Sequence, residues 1–231
     1  MFRGARPARL ADADPDGRLR FDATARYLHD LSNDDTRDAA LPDDSSWVVR
    51  RTVIDVLVAA RFLEQLELAT WCGGTGSRWA ERRVSIEGAK GARIESASLW
   101  VHVDLATMLP KRLGDDFLAL YGDAAGGRTI GSKLLLPGPP DRAESRPWAL
   151  RRTDLDVLAH VNNAAYWCAL EELVGNRPEL VAGRCRGVVE FARPIEAGAE
   201  VELRWADSAD GVSAWLVAGD VVHAAMSLTR R

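Results

Sequence analysis

The chain has 231 residues, 47% of them hydrophobic, with 30 Lys and Arg against 34 Asp and Glu and a formal net charge of −4. That balance excludes a nucleic-acid binder held by bulk positive charge, and the length allows one large domain or two small ones around a sizeable core. No apolar run approaches the roughly 20 residues that cross a bilayer, and Met1 to Asp16 mixes Arg and Asp without an apolar signal core, so the expected compartment is the cytoplasm. Cys72, Cys168 and Cys185 are odd in number and lack CxxC spacing. His29, His102, His160 and His223 are scattered, so neither a disulfide framework nor a metal centre is expected.

In chain order, FDATARYLHDL (Phe21 to Leu31) reads as an amphipathic helix. The β-rich stretches Trp47 to Leu57, Leu63 to Trp71, Arg78 to Glu87 and Ala92 to Asp104 follow it. Gly73-Gly74-x-Gly76 falls between two of these strands and reads as a hairpin turn, since no helix or Lys follows to make it a phosphate loop. Gly122 to Glu144 holds Gly126-Gly127 and Pro137-Gly138-Pro139-Pro140, the composition of a linker crossing the surface.

Trp148 to Arg152 can form a strand. Tyr166, Leu170, Leu173 and Val174 then have the spacing of a helix about three turns long, with Asn162 or Asn163 as cap and Gly175 as a left-handed end. Alternation over Gly187 to Phe191, Glu200 to Asp207, Val212 to Ala218 and Val221 to Thr229 predicts antiparallel strands. The same order therefore occurs twice. Ala25, Tyr27 and Leu31 stand against Ala164, Tyr166 and Leu170 at an offset of 139, and LELATW (Leu66 to Trp71) echoes VELRW (Val201 to Trp205).

At DLDVLAHVNNAAYW (Asp154 to Trp167) the pattern closely resembles the plant-type acyl-acyl carrier protein thioesterases. WVVRRTVIDV (Trp47 to Val56) and ASLWVHVDLATMLPKRL (Ala97 to Leu113) are similar to two further stretches of that family. The resemblance implies an α+β tandem (double) hotdog, two long helices each wrapped by a curved antiparallel sheet. Its expected layout is an N-terminal hotdog at 1–121 forming half of an acyl pocket, a linker at 122–145, and a C-terminal hotdog at 146–231 carrying the chemistry. It implies hydrolysis of fatty acyl thioesters without a cofactor, most simply on acyl carrier protein. Asp156 and His160 match the family's catalytic Asp and His.

Thioester hydrolysis needs a group that activates water or attacks, and donors for the charge that grows on the carbonyl oxygen. Asp156 can supply the first, as base or as nucleophile. The backbone N–H groups of Val161, Asn162 and Asn163, at a helix start, can supply the second. Two positions depart from the family: Leu158 stands where an Asn is usual, and Pro194 where plant members carry a further Glu. Glu190 and Glu196 are near that position without aligning to it. In the first copy, Phe21 occupies the His160 position at the offset of 139, while Asp12 and Asp14 resemble Asp154 and Asp156 once about three residues are inserted.

Other readings stay open: acyl-coenzyme A as donor, a hotdog hydratase, or an acyl-binding sensor that has lost catalysis. An acidic carrier protein would meet a basic face, for which Arg50-Arg51, Arg82-Arg83 and Arg151-Arg152 are candidates. The chain is expected to avoid membrane insertion and nucleic acid, and to be a monomer or a homodimer.

Overall fold

The computed structural model describes residues 1–39 and 46–231. Its backbone builds one helix-and-sheet unit twice. The first unit runs β1 (Phe2–Pro7), α1 (Phe21–Asp38), β2 (Ser46–Val58), β3 (Gln65–Thr75), β4 (Trp79–Gly88) and β5 (Arg93–Val103). After α2 (Asp115–Ala125), the second runs β6 (Glu144–Trp148), α3 (Tyr166–Val174), β7 (Cys185–Phe191), β8 (Val201–Ser208), β9 (Gly211–Ala218) and β10 (Val221–Arg230).

All ten strands form one sheet in the order β1-β3-β4-β5-β2-β7-β10-β9-β8-β6. That order is symmetric about the β2/β7 junction, where antiparallel pairing puts Arg51 opposite Glu190 and Val56 opposite Cys185. The tandem arrangement expected from the sequence is therefore present, with the two units sharing a continuous sheet.

Why these residues choose these elements follows from burial. On α1, Phe21, Ala25, Leu28 and Leu31 fall on one buried stripe, and on α3 so do Trp167, Leu170, Leu173 and Val174. The helices meet where Phe21 stacks on Trp167, ring centroids 5.7 Å apart and 16° from parallel. Gly187 on β7 makes that contact fit: a Cβ there would stand 2.8 Å from the Trp167 ring and 3.1 Å from Phe21.

The segment after α2 crosses the other face. Buried Glu190, 2% exposed, accepts the N–H groups of Leu135 (2.8 Å) and Leu136 (2.8 Å), while Trp79 and Trp215 donate to the carbonyls of Ile130 and Pro137. Glu190 thus anchors this segment.

Several local expectations change. α3 has nine residues, not the span of a long helix, and a turn over Asn162–Ala165 precedes it. Gly175 ends it in a right-handed conformation at φ −51°. Gly73 and Gly74 lie inside β3 at a bulge; a Cβ on Gly74 would stand 2.8 Å from Ile130 and 3.1 Å from the Arg128 carbonyl, so close approach of the crossing segment explains them. α2 carries the chain beyond residue 121 as helix, and the strand expected at Trp148 to Arg152 lies earlier, as β6 from Glu144 to Trp148, with a helical turn starting at Arg152.

The repeat offset is 142, not 139. At 142, the buried positions Ala25, Leu28 and Leu31 of α1 fall on Trp167, Leu170 and Leu173 of α3. A three-residue slip keeps a helical residue on nearly the same face, so the false register reproduces apolar matches and looks correct by periodicity.

Candidate active site

The loop between β6 and α3 is built by its own backbone. A single helical turn over Arg152–Asp154 leads to Leu155, which bridges Val161. Between them Asp156 N–H donates to the His160 carbonyl (2.9 Å), Ala159 N–H to the Asp156 carbonyl (3.0 Å), and Leu158 N–H to Asp156 Oδ1 (2.9 Å). Ala159 sits at φ +59°, a left-handed conformation that costs a residue with a Cβ about 1–2 kcal/mol. Such strain persists only where surrounding bonds over-determine it, and this turn has three.

The first copy repeats the loop bond for bond at the offset of 142 (160 against 18). Asp14 N–H donates to Arg18, Gly17 N–H to Asp14, and Asp16 N–H to Asp14 Oδ1, with Gly17 at φ +77° in the Ala159 place. Arg18, and not Phe21, therefore occupies the His160 position, and Phe21 corresponds to Asn163. The first loop is closed by ion pairs: Arg18 bonds Asp14 (2.9 Å) and, from across the helix pair, Glu171 (2.6 Å).

Asp156 and His160 share the loop, and both are half-buried. His160 Nε2 stands 3.3 Å from Glu196 Oε1, because Glu196 pairs with His160 across an isolated antiparallel bridge. This contact could not be read from the sequence, where nothing encodes that bridge. Pro194 is exposed, its carbonyl 2.7 Å from His223 Nδ1. The Leu158 side chain points to solvent, 71% exposed.

Of the three expected N–H donors, two are already used inside the protein: Val161 donates to the Ile195 carbonyl (2.9 Å) and Asn162 to the Asp154 carbonyl (2.7 Å). These two bonds hold the loop against the β7–β8 connection and against its own start, which removes both groups as free donors. Asn163 N–H has no partner among the described residues. Asn162 acts as a turn cap, its Oδ1 accepting the Ala164 N–H at 2.9 Å.

A cleft of about 580 Å³ opens between α1 and this loop. Its walls include His29, Asp30 and Asn33 of α1, Trp100 of β5, and Leu155, Asn162 and Asn163 of the loop. Asp156 and His160 flank these wall residues without lining the cleft themselves. Burial holds the His29 imidazole below its usual pKa, although the charges of Asp30 and Asp156 pull it up. Burial likewise pushes the Tyr166 phenol up to about 12; the Ile195 N–H opposes that shift and the Asp156 charge adds to it. Asp156 is thus felt by both groups. Sequence reasoning passed over His29 as one scattered histidine; only the corrected offset, which pairs it with Glu171, could have found it.

A second cleft of about 560 Å³ shares Ser32, Asn33 and Trp100 with the first and continues between α1, the sheet and α2. Trp47, Trp71, Phe117 and Tyr121 give it aromatic walls. Arg82 lines it and pairs with buried Asp35, which also accepts the Tyr121 hydroxyl (3.2 Å). Of the basic pairs, Arg51 is tied to Glu190 (3.7 Å), Arg82 to Asp35, Arg83 to Glu81 and Arg151 to Asp154.

The fold defines a class, the tandem hotdog proteins. Residues 2–121 match the family model of the acyl-ACP thioesterase N-terminal domain, and residues 139–221 that of the C-terminal domain. An uncharacterized protein of Mycobacterium tuberculosis is 35% identical over 220 residues, 95% of this chain and 88% of that one. The 12:0-ACP thioesterase of Umbellularia californica superposes with a TM-score of 0.83 at 19% identity, covering 100% of this chain and 96% of the other. An acyl-ACP thioesterase of Bacteroides thetaiotaomicron does so at 0.82 and 16% identity, over 99% and 96%. The chain belongs to the acyl-ACP thioesterase family, and it is a thioester hydrolase acting on fatty acyl thioesters. No helix among the described residues is long and apolar enough to cross a membrane.

Proposed function

We propose that the protein releases free fatty acid from acyl-acyl carrier protein, with Asp156 as the base and His160, held by Glu196, beside it. The observation that carries this reading is the pair of clefts joined at Ser32, Asn33 and Trp100. The first is large enough for a thioester and the end of its pantetheine arm, and the aromatic second can bury an acyl chain at about 0.8 kcal/mol per methylene.

Asp156 Oδ1 accepts the Leu158 N–H, leaving Oδ2 without a partner among the described residues. Oδ2 takes a proton from water as the water oxygen adds to the thioester carbon. The tetrahedral intermediate collapses, the C–S bond breaks, and the thiolate takes up the proton from the Asp156 carboxyl. His160 orients the attacking water or the leaving sulfur. The first copy supplies the chain-binding cleft, and the second carries the base. The family match supports acyl carrier protein as donor. With four of the six basic candidates tied into ion pairs, carrier docking would fall to groups such as exposed Arg152.

Release of free thiol from a panel of acyl-acyl carrier proteins and acyl-coenzyme A esters tests this, wild type beside Asp156→Asn. Turnover with carrier-bound donors, lost in the variant, is the expected result. Faster turnover of the coenzyme A esters would replace the donor, and an unchanged Asp156→Asn rate would move the base elsewhere.

A further inference from the structure

We infer that the carbonyl oxygen of the bound thioester is held between the imidazole of His29 and the backbone N–H of Asn163, so that the first copy contributes a catalytic hydrogen-bond donor to the second copy's site. The inference rests on the hydrolytic reading above and names the donors it needs.

The internal repeat provides the comparison. In the first copy, the opposite helix α3 seats the Glu171 carboxylate against the loop, where it accepts the Phe21 N–H (2.5 Å) and both terminal nitrogens of Arg18 (2.6 and 3.2 Å). A negatively charged oxygen is therefore already bound at this point of the fold, by a backbone donor and the side chain in the His160 position. At the offset of 142, Phe21 corresponds to Asn163 and Glu171 to His29. The second copy thus keeps the backbone donor, removes the resident carboxylate and replaces it with an imidazole. Between His29 and Asn163 lies the cleft, lined by both.

An oxyanion site needs fixed donors aimed at developing charge, in a place with little water. Asn163 N–H has no partner among the described residues, and no hydrogen bond of the described residues engages the His29 ring. The ring is steadied edge-on against Trp100, centroids 6.2 Å apart at 64°. Burial favours the neutral His29 imidazole, which carries one N–H to donate. This arrangement accounts for Leu158: its exposed side chain lies away from the cleft walls, and the donor a family Asn would bring there is supplied across the helix pair instead.

The test uses His29→Leu and His29→Gln in the full chain, both checked by thermal unfolding. For acyl-thioester hydrolysis, His29→Leu should lower kcat about 100-fold with KM within about threefold, and His29→Gln, which restores an N–H, should recover at least about tenfold. Binding is read separately with two non-hydrolysable acyl-pantetheine analogues, an amide that keeps the carbonyl and a thioether in which methylene replaces it. Wild type should prefer the amide, and His29→Leu should lose that preference. A His29→Leu kcat within about threefold of wild type, or an amide preference that survives the substitution, overturns the assignment. Wild type that prefers the amide yet hydrolyses no thioester would sink the hydrolytic reading while leaving the carbonyl contact standing.

Discussion

Replacing Glu171 with Ala should destabilise the fold while leaving the second loop untouched. The Arg18 and Glu171 side chains are 7% and 10% exposed, joined by two bonds, and Glu171 also accepts the Phe21 N–H. Removing one partner of a buried pair costs about 3–5 kcal/mol. Asp14 still bonds the guanidinium at 2.9 Å, so roughly half of that is retained, while the orphaned Phe21 N–H adds about 1 kcal/mol. The expected loss is about 2–4 kcal/mol, a fall in Tm of about 5–15 °C for a chain this long. Glu171→Gln, which keeps an acceptor for Phe21, should fall between the two. Differential scanning calorimetry at low salt and at about 1 M salt reads the effect, because a buried pair is weakly screened. A fall of less than about 2 °C, or one that disappears in high salt, would show that the pair behaves as a surface contact and refute the clamp.

Ala159→Gly should raise Tm by about 2–4 °C, since it relieves the left-handed strain at φ +59° against a smaller cost in unfolded-chain entropy; a lower Tm would mean that the turn is not strained. Asp22 makes a pH prediction. Burial raises its carboxyl, but the bonds from Arg20 and Arg26 outweigh that and hold it below the ordinary value of 3.8. A carboxyl lowered in the folded state stabilises above the unfolded value and loses that contribution as pH falls through the folded one. The Tm gap between wild type and Asp22→Asn should therefore be widest near neutral pH and close below about pH 4, and a gap independent of pH would remove the ion pair as its cause.

What the sequence could and could not show follows from the range of each signal. Strand and helix positions were legible because alternation and 3.6-residue periodicity are local: β9 and β10 lie within two residues of the predicted stretches. The duplication was legible from element order, and the helix register was not, because a slip of three positions preserves a helical face. β1 and α2 escaped because a six-residue edge strand and an 11-residue helix carry little pattern. In the site, Asp156 and His160 stand out through local motif likeness. Glu196 and His29 do not, since each reaches the loop through pairing or packing that spans many residues. The use of Val161 and Asn162 as internal donors is equally invisible in a string of letters.

The two loops show how one backbone supports opposite outcomes. Each presents the same bonded turn and the same N–H, at Phe21 in the first and Asn163 in the second, toward the helix of the other copy. Where that helix offers Glu171, the loop and helix lock through Arg18, and the joint becomes part of the core beside the Phe21–Trp167 stack. Where it offers His29 in place of that carboxylate, a cleft remains. In the proposed mechanism, catalysis in the second copy thus depends on the first being closed. The clamp fixes α3 against α1, and α1 carries both His29 and the wall that joins the two clefts. Introducing Glu at position 29 should extend the clamp's logic to the second loop, placing a carboxylate beside the Asn163 N–H where the thioester carbonyl would sit. His29→Glu should then fold normally and compete with its own substrate, a rise in KM that steady-state kinetics would detect and that a purely structural role for His29 would not produce.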